Sequence, residues 1–220
     1  MVEETMNAWW QTVRACRACP ISGEQNRGPT GYTGTIRSPL MIVGEGPGGV
    51  EDEYGVPLVG PSGQLLDKAL WSVGVTRDRV YVTNIVKCRP KGNRTPTLDE
   101  GRFCADRHLQ AEIRLVRPAV IVALGKVAFQ YFYGSAGSIM RSRGQWLQYQ
   151  GIPVMPTYHP AFLLRRTGKD LVEAKWQVYY DLKSAVERAQ VAEPEYVFKS
   201  DNIVSLLLLY EKEKEQRMMR

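Results

Sequence analysis

The sequence lacks any apolar run close to the ~20 residues that a membrane-spanning helix needs. Its longest candidate, Ile203 to Tyr210, covers only eight positions. It also lacks a basic N-terminal segment followed by an apolar stretch, which is the pattern of a secretory signal. These absences argue against a membrane or secreted protein, and they predict a cytoplasmic location.

Histidine is scarce, with two in 220 residues, and neither sign of charge dominates. The 29 Lys and Arg residues exceed the 23 Asp and Glu residues by six. Such a moderate basic excess is compatible with a nucleic-acid partner but does not establish one. Apolar residues make up 44% of the chain, enough for a substantial core and too many for a disordered protein. The length fits one α/β domain with at most a short appendage.

Cysteine is also rare, and its spacing is informative. Cys16 and Cys19 form a C-x2-C pair, and Cys88 and Cys104 follow with 15 residues between them. Disulfides are uncommon in the cytosol, so four cysteines that include a C-x2-C pair indicate a metal site. Four thiolates suit both zinc and a [4Fe–4S] cluster; spacing alone favours zinc slightly and leaves both open. Four unrelated thiols are the alternative.

Short apolar runs alternate with helical patterns along the chain. The predicted strands are 39–43, 79–83, 119–124 and 152–157. The predicted helices are 4–15, 62–73, 97–116, 126–132 and 171–189. This alternation implies a parallel sheet with helices on both faces. The predicted fold is therefore a three-layer α/β/α domain with a central, mainly four-stranded parallel sheet.

Glycine and polar residues follow each predicted strand. The segments are Gly44-Glu-Gly-Pro-Gly48, Asn84, Gly125 and Tyr158-His159-Pro160. Because ligands of such sheets bind beyond the carboxyl ends of the strands, these residues define a candidate site.

The glycine segment formally matches a dinucleotide-binding fingerprint, but two features argue against that use. Pro47 removes a backbone donor where a pyrophosphate needs one, and the next strand ends in Thr83 and Asn84 instead of an acidic residue. The glycines are better suited to bringing the backbone close to a small polar ring.

Three further features suggest base and DNA recognition, each with a simpler alternative. The Asn84 amide offers a donor and an acceptor that can read a base edge, or it caps a turn. His159 at a strand end is equally compatible with a catalytic and a structural role. Leu163-Leu-Arg-Arg166 combines an apolar wedge with cations for phosphates, or it forms an amphipathic turn.

Taken in order, these motifs resemble the family 4 uracil-DNA glycosylases, the iron–sulfur type. The resemblance covers roughly residues 8–188. The matching segments are Cys16-x2-Cys19, Gly44-Glu-Gly-Pro-Gly48 with Glu51-Asp52, Gly60-x2-Gly-Gln-Leu-Leu66, Thr83-Asn-Ile-Val-Lys-Cys-Arg-Pro90, Asn93-Arg94, Cys104 and His159-Pro-Ala-x-Leu-Leu-Arg165.

The resemblance implies a base excision repair enzyme. Such an enzyme flips uracil out of single- or double-stranded DNA and hydrolyses its N-glycosidic bond, which leaves an abasic site. The resemblance also implies a [4Fe–4S] cluster of structural role, held by the four cysteines. The implied site residues are Glu45, Asn84 and His159 for catalysis, Gly44, Gly46, Glu51 and Leu58 for the base pocket, and Leu163, Leu164 and Arg165 for DNA.

The resemblance also assigns individual roles in the pocket. Asn84 would bond the uracil edge, His159 would contact uracil O2, and Glu51 would stand where the family excludes the 5-methyl group of thymine. Gly46 lies where some other glycosylase families carry an aspartate that activates water. Weak or indirect water activation is therefore expected, together with a dissociative path.

Two departures from the family pattern qualify this interpretation. Leu58 stands in Gly55-Val-Pro-Leu-Val-Gly60, where the family usually has a phenylalanine that stacks on uracil. The second departure is at the C-terminus, where residues after about 190 lie outside the resemblance. We therefore predict two regions: a glycosylase domain at 1–190, and a linker with a C-terminal helical extension at 191–220. That helix would dock through its leucines or bind a protein partner. A non-catalytic iron–sulfur DNA-binding or replication-partner protein that retains the fold is the alternative function.

Overall fold

Four parallel strands form the centre of the sheet in the computed structural model, which describes residues 2–134 and 137–201. They are β2 (Leu40–Gly44), β3 (Tyr81–Asn84), β4 (Val120–Leu124) and β6 (Ile152–Thr157). Two short antiparallel strands, β1 (Thr33–Gly34) and β5 (Leu147–Tyr149), lie at the edges, in the order β1-β3-β2-β4-β6-β5. The predicted parallel sheet is confirmed. The edge strands have two and three residues, too few for a periodic signal, and the sequence reasoning missed them.

The central strands are buried on both faces, which explains why they appear in the sequence as continuous apolar runs. In the register of the sheet, Gly44 pairs with Asn84, and Leu124 pairs with Thr157. The carboxyl ends of the parallel strands therefore line up at one edge, where the candidate residues were expected.

Helices cover both faces of the sheet. They are α1 (Val2–Arg14), α2 (Gly49–Tyr54), α3 (Pro61–Ser72), α4 (Leu98–Cys104), α5 (Gln110–Val116), α6 (Gly125–Tyr133), α7 (Ile139–Ser142), α8 (Pro160–Leu164) and α9 (Gly168–Ala192). Apolar side chains of α1, α4, α5 and α6 pack on one face, and those of α3 and α9 pack on the other. The three-layer α/β/α prediction is confirmed.

The predicted helix 97–116 is present but changes its winding in the middle. Thr97 begins α4 with the expected capping box: its hydroxyl accepts from the Glu100 amide at 3.2 Å, and Glu100 accepts from the Thr97 amide at 2.8 Å. A π-helical turn at Ala105–Leu109 then separates α4 from α5. This wider turn directly follows Cys104, and π-turns are often found at functional sites.

The interval predicted as a linker begins inside α9, which extends to Ala192. Beyond it, the chain packs back on the domain. The Tyr196 hydroxyl donates to the Arg79 carbonyl at 2.8 Å, and the Thr76 amide donates to the carbonyl of the buried Phe198 at 2.9 Å. The boundary near residue 190 stays a prediction, and most of the predicted C-terminal extension lies outside the described residues, which end at Asp201.

Across the described parts of the chain, no helix combines the length and the apolar character that crossing a bilayer requires.

Candidate active site and cysteine cluster

A cavity of about 630 Å³ opens at the carboxyl edge of the sheet. Most of the predicted site residues meet there. Those that line the cavity are Glu45, Gly46, Glu51, Leu58, His159, Leu164 and Arg165. The loop after β2, the loop before α3 and the β6–α8 junction bring them together. The strand-end rule therefore located the cavity correctly.

Asn84 lies beside this cavity and is almost fully buried, with 1% of its surface exposed. Neither its Nδ2 nor its Oδ1 atom has a hydrogen-bond partner among the described residues. A buried amide without partners costs about 1–3 kcal/mol, so such groups call for an explanation.

Gly44 permits this placement of Asn84. A Cβ atom at position 44 would stand 2.4 Å from the Asn84 Oδ1 atom and 3.2 Å from the Leu58 Cδ1 atom. Any larger residue would push the amide or the leucine away. The absence of a side chain at Gly44 therefore leaves room for the Asn84 and Leu58 side chains.

Leu58 has a left-handed backbone, with φ of 51°, which is unfavourable for a leucine. Arg77 holds it there: its Nη2 donates to the Pro57 carbonyl at 3.0 Å and to the Leu58 carbonyl at 2.9 Å. Asp67 anchors the guanidinium through a 2.8 Å ion pair. Strained backbone persists where its surroundings determine it in this way, and active sites are a common location.

Glu51 uses its carboxylate to tie two loops together. Oε1 accepts from the amides of Val59 and Gly60 at 3.0 and 2.8 Å, and Oε2 accepts from the Gly48 amide at 3.1 Å. The side chain is 8% exposed. These three bonds hold the glycine loop after β2 against the loop that carries Leu58.

His159 caps the N-terminus of α8. Its Nδ1 atom accepts from the Ala161 amide at 3.1 Å, so the neutral ring carries its proton on Nε2. Burial, with a smaller contribution from the charge of nearby Arg165, lowers the pKa of His159 to about 4. Gly125, with φ of 82°, permits the close approach of this ring because a Cβ atom there would stand 2.8 Å from the His159 Cβ.

Glu45 brings a carboxyl group to the same cavity. Burial raises its pKa above the ordinary value, while a hydrogen bond from Thr95 and the charge of Arg165 oppose that rise.

The two leucines predicted to face DNA occupy different environments. Leu163 is 4% exposed and belongs to the core between α3 and α9, whereas Leu164 is 53% exposed and lines the cavity. Arg165 is exposed beside Leu164. The structure therefore does not place Leu163 with the other site residues, because the short helix α8 turns its side chain towards the sheet.

Three cavity residues, Phe162, Thr95 and Lys126, escaped the sequence reasoning, whereas Tyr158 was among the predicted strand-end residues. Phe162 stacks on Tyr158 with ring centroids 4.5 Å apart, and both rings line the cavity. Thr95 and Lys126 line it as well. Lys126 directly follows the strand-end Gly125, so its position alone was a usable signal. Thr95 lies in an irregular loop and gave none.

The four cysteines line one small cavity, separate from the cavity that His159 lines. Each is a free thiol. Burial, together with the other cysteines, raises the pKa of Cys88 to about 12, and burial raises that of Cys104 to about 11. Within the described ranges, no group of three or more His, Cys, Asp or Glu side chains is arranged to hold a single metal ion. Four converging thiols, none in a disulfide, nevertheless supply the donor set of a four-thiolate cluster.

A buried ion pair connects the cysteine cavity with the active site. Lys87 Nζ donates to Glu112 Oε2 at 2.5 Å, to Thr83 Oγ1 at 2.5 Å and to the Asn84 carbonyl at 3.1 Å. Glu112 Oε1 in turn accepts from the Tyr81 and Thr83 hydroxyls, each at 2.8 Å. The sequence reasoning missed this network.

The fold agrees with comparisons to known proteins. Residues 30–183 match the model of the Uracil DNA glycosylase superfamily. The type-4 uracil-DNA glycosylase of Thermotoga maritima is 42% identical over 173 residues, which cover 77% of this chain and 88% of that protein.

Two archaeal relatives show the same pattern. The type-4 uracil-DNA glycosylase of Pyrobaculum aerophilum is 37% identical over 71% of this chain and 83% of its own length. That of Archaeoglobus fulgidus is 34% identical over 74% of this chain and 85% of its own. The chain therefore belongs to the uracil DNA glycosylase superfamily, and within it to the type-4 family.

Proposed function

We propose that this protein removes uracil from DNA by hydrolysing its N-glycosidic bond and leaves an abasic site. The observation that carries the proposal is the Asn84 amide, which is buried at the active-site edge with both polar atoms unpartnered among the described residues. A pyrimidine edge that offers one donor and one acceptor would satisfy both atoms at once. The type-4 names of the relatives support uracil as that pyrimidine.

His159 supplies the donor for the departing base. Cleavage leaves negative charge on uracil, and a neutral imidazole with its proton on Nε2 can donate to O2 as that charge develops. One such contact is typically worth about 10²–10³ in rate. The lowered pKa of His159 keeps the ring neutral near pH 7, so it binds the charge by hydrogen bonding and not as a cation.

Water activation falls to Glu45. Gly46 has no side chain, and the Glu51 carboxylate is already bonded to three backbone amides. Glu45 presents the other carboxyl group of the cavity lining and can orient a water molecule towards the sugar. Since orientation contributes less than strong general-base catalysis, most of the barrier is lowered by stabilising the departing base.

The role of Glu51 in excluding thymine is indirect. Its carboxylate holds the loops of Gly48 and Leu58 together and thereby sets the wall that a 5-methyl group would meet.

Leu164 and Arg165 contact the DNA. An exposed leucine at the cavity rim can fill the gap that a flipped base leaves in the stack, and the adjacent cation can bind phosphate. The buried Leu163 supports α8 from below instead. The substrate is uracil-containing DNA, single- or double-stranded.

The four cysteines hold a [4Fe–4S] cluster that supports the fold. The convergence of all four cysteines on one cavity supports a group that is ligated by four thiolates, as a [4Fe–4S] cluster is. Such a cluster would join the segment after α1, the loop after β3 and the end of α4, and would also carry the brown colour of iron–sulfur proteins.

The cluster proposal is tested with Cys88→Ala. We expect a colourless protein with little iron and a lower melting temperature, and a Ser22→Ala control that keeps its colour. Full iron content together with unchanged stability in Cys88→Ala would refute ligation by all four cysteines.

The function is tested by single-turnover cleavage of single- and double-stranded oligonucleotides that contain one uracil. The wild-type protein should generate abasic sites opposite guanine or adenine and leave thymine intact. His159→Ala should be slower by about 10²–10³, and His159→Gln, which keeps a donor, should retain more activity. Binding without cleavage by the wild type would favour the non-catalytic alternative. The cytoplasmic location and a separate protein partner stay predictions.

A further inference from the structure

A second concave surface lies behind the active site, on the face of the sheet that α3 and α9 cover. It encloses about 520 Å³. Its α3 wall includes Leu65, Ala69 and Ser72, and its α9 wall presents Val172, Trp176 and Tyr179 at helical spacing. We call this surface the α3/α9 groove.

The groove is apolar and open. Val172 and Trp176 are each 55% exposed, although both belong to the wall. Single exposed apolar residues are ordinary, but a contiguous patch with a cavity between two helices generally marks a surface that another segment covers. The proposed cleavage reaction makes no use of this groove.

The described chain ends beside one end of the groove. The Ser200 amide donates to Thr76 Oγ1 at 3.0 Å, and Lys199 Nζ lies 4.8 Å from the ring centroid of Trp71. Trp71 directly precedes Ser72, the last groove residue of α3. The next residues of the chain therefore start at the C-terminal end of α3.

The next segment of the chain has the composition that such a groove requires. Ile203 to Tyr210 contains seven apolar residues and one serine, with a single residue between Asp201 and Ile203. At helical spacing, Ile203, Leu206, Leu207 and Tyr210 form one stripe.

The lengths agree as well. Eight residues span about 12 Å as a helix, and the α3 wall from Leu65 to Ser72, also eight helical residues, has the same length.

We propose that residues 203–210 of this chain bind in the α3/α9 groove, and that the apolar stripe packs between α3 and α9. A tether of one or two residues gives the segment an effective concentration near the millimolar range, which favours its own groove over that of a second copy. The groove reaches Pro160 and Leu163. A bound segment would therefore support α8 from behind.

Hydrogen exchange of the full-length holoprotein tests this contact directly. In a Leu206→Asp/Leu207→Asp variant, amides of 65–72 and 172–182 should exchange roughly fivefold or more faster than in the wild type. A Ser205→Asp/Leu208→Asp variant adds the same charge to the opposite side of the stripe and should exchange at nearly the wild-type rate. Equal rates in all three proteins would overturn the proposal.

A double-mutant cycle tests whether the two surfaces touch. Val172→Asp and Leu206→Asp/Leu207→Asp should each lower the melting temperature by roughly 3–6 °C, and their combination should lower it little further. Val191→Asp, an 81% exposed valine elsewhere on α9, is the control and should have almost no effect. Additive losses would refute contact between the segment and the groove.

Sedimentation over a range of concentrations identifies which copy provides the segment. We expect a monomer whose exchange protection is independent of concentration. Protection that appears only with a dimer would overturn binding within one chain. All three measurements are independent of uracil cleavage, so they succeed or fail separately from the proposed enzyme function.

Discussion

Asn84 and Lys87 lie three residues apart at the end of β3, and both are almost fully buried. Their side chains nevertheless differ in hydrogen bonding. The Lys87 ammonium group donates to three acceptors, one of which is the Glu112 carboxylate. That carboxylate also accepts from the hydroxyls of Tyr81 and Thr83. The Asn84 amide meets no partner among the described residues. The ammonium group of Lys87 is fully hydrogen-bonded within the protein, whereas the amide of Asn84 is left for the ligand that the proposed function requires.

This contrast separates two functions of buried polarity. A fully bonded network fixes the backbone around it, and here it fixes the Asn84 carbonyl and the residue before Cys88. An unbonded amide costs stability and is retained where binding requires it. Stability and activity should therefore respond differently to substitutions only a few residues apart.

The largest expected effect comes from breaking the buried Lys87–Glu112 ion pair. Lys87→Met leaves Glu112 charged and buried without its partner, and we expect a loss of about 3–5 kcal/mol in the free energy of unfolding. Urea denaturation measures it. A Lys87→Met/Glu112→Leu double variant should recover much of the loss, and Lys169→Met, at an exposed site, should be neutral. A single-variant loss below about 1 kcal/mol would contradict the network.

The opposite response is expected at Asn84. Asn84→Leu removes a buried amide that has no partner among the described residues, so the free energy of unfolding should stay unchanged or rise by about 1 kcal/mol, while uracil cleavage falls by about 10²–10³. Its neighbour Thr83 provides the matched control. Thr83→Val removes a bonded hydroxyl and should lower stability by about 1–2 kcal/mol. If Asn84→Leu destabilises the protein more than Thr83→Val, the contrast fails.

A smaller effect, a gain in uracil affinity and cleavage rate, is expected from Leu58→Phe. Leu58 borders the Asn84 pocket but offers no aromatic face, and base stacking on an aromatic ring is worth roughly 1–3 kcal/mol. The variant should bind free uracil more tightly and cleave faster, as measured by calorimetry and single-turnover assays. Leu58→Met controls for side-chain length. Equal affinity in the Phe and Met variants would indicate that Tyr158 or Phe162 already provides the stacking surface.

A pH-dependent loss of stability is expected at His159. The pKa of His159 is about 4 in the folded protein and near 6.5 when unfolded, so the unfolded chain binds more protons between these values. His159 should therefore contribute a loss of stability as pH falls from about 6.5 to 4. Comparing unfolding of the wild type with His159→Gln across this range isolates the contribution. If the free energy of unfolding of the wild type depends on pH no more steeply than that of the variant, the His159 contribution is excluded.

The four parallel strands and their carboxyl-edge residues were predictable because each depends on local pattern. A buried parallel strand is a short apolar run, and the residues directly after it must lie at the same edge as those after its neighbours. Asn84 and His159 were located by that rule alone. The edge strands β1 and β5 were not predictable, because two or three residues carry no periodicity.

The choice between Leu163 and Leu164 illustrates a second limit. Adjacent leucines have the same chemistry in the sequence, and only the orientation of α8 separates a core residue from an exposed one. The partnership of Lys87 and Glu112 shows a third limit, since the two residues are 25 positions apart in the sequence and a π-turn lies between them.

By itself, the sequence determined the layer architecture, the edge of the sheet that carries the site and the residue types available there, because apolar periodicity and strand order act over short stretches of chain. Tertiary structure decided which buried polar groups find partners. Lys87 is satisfied and Asn84 is not within the described part of the chain, although both are polar residues at the same strand end. The physical reason is that hydrogen bonding depends on atoms brought together from distant segments, and no local pattern encodes whether an acceptor such as Glu112 will be there.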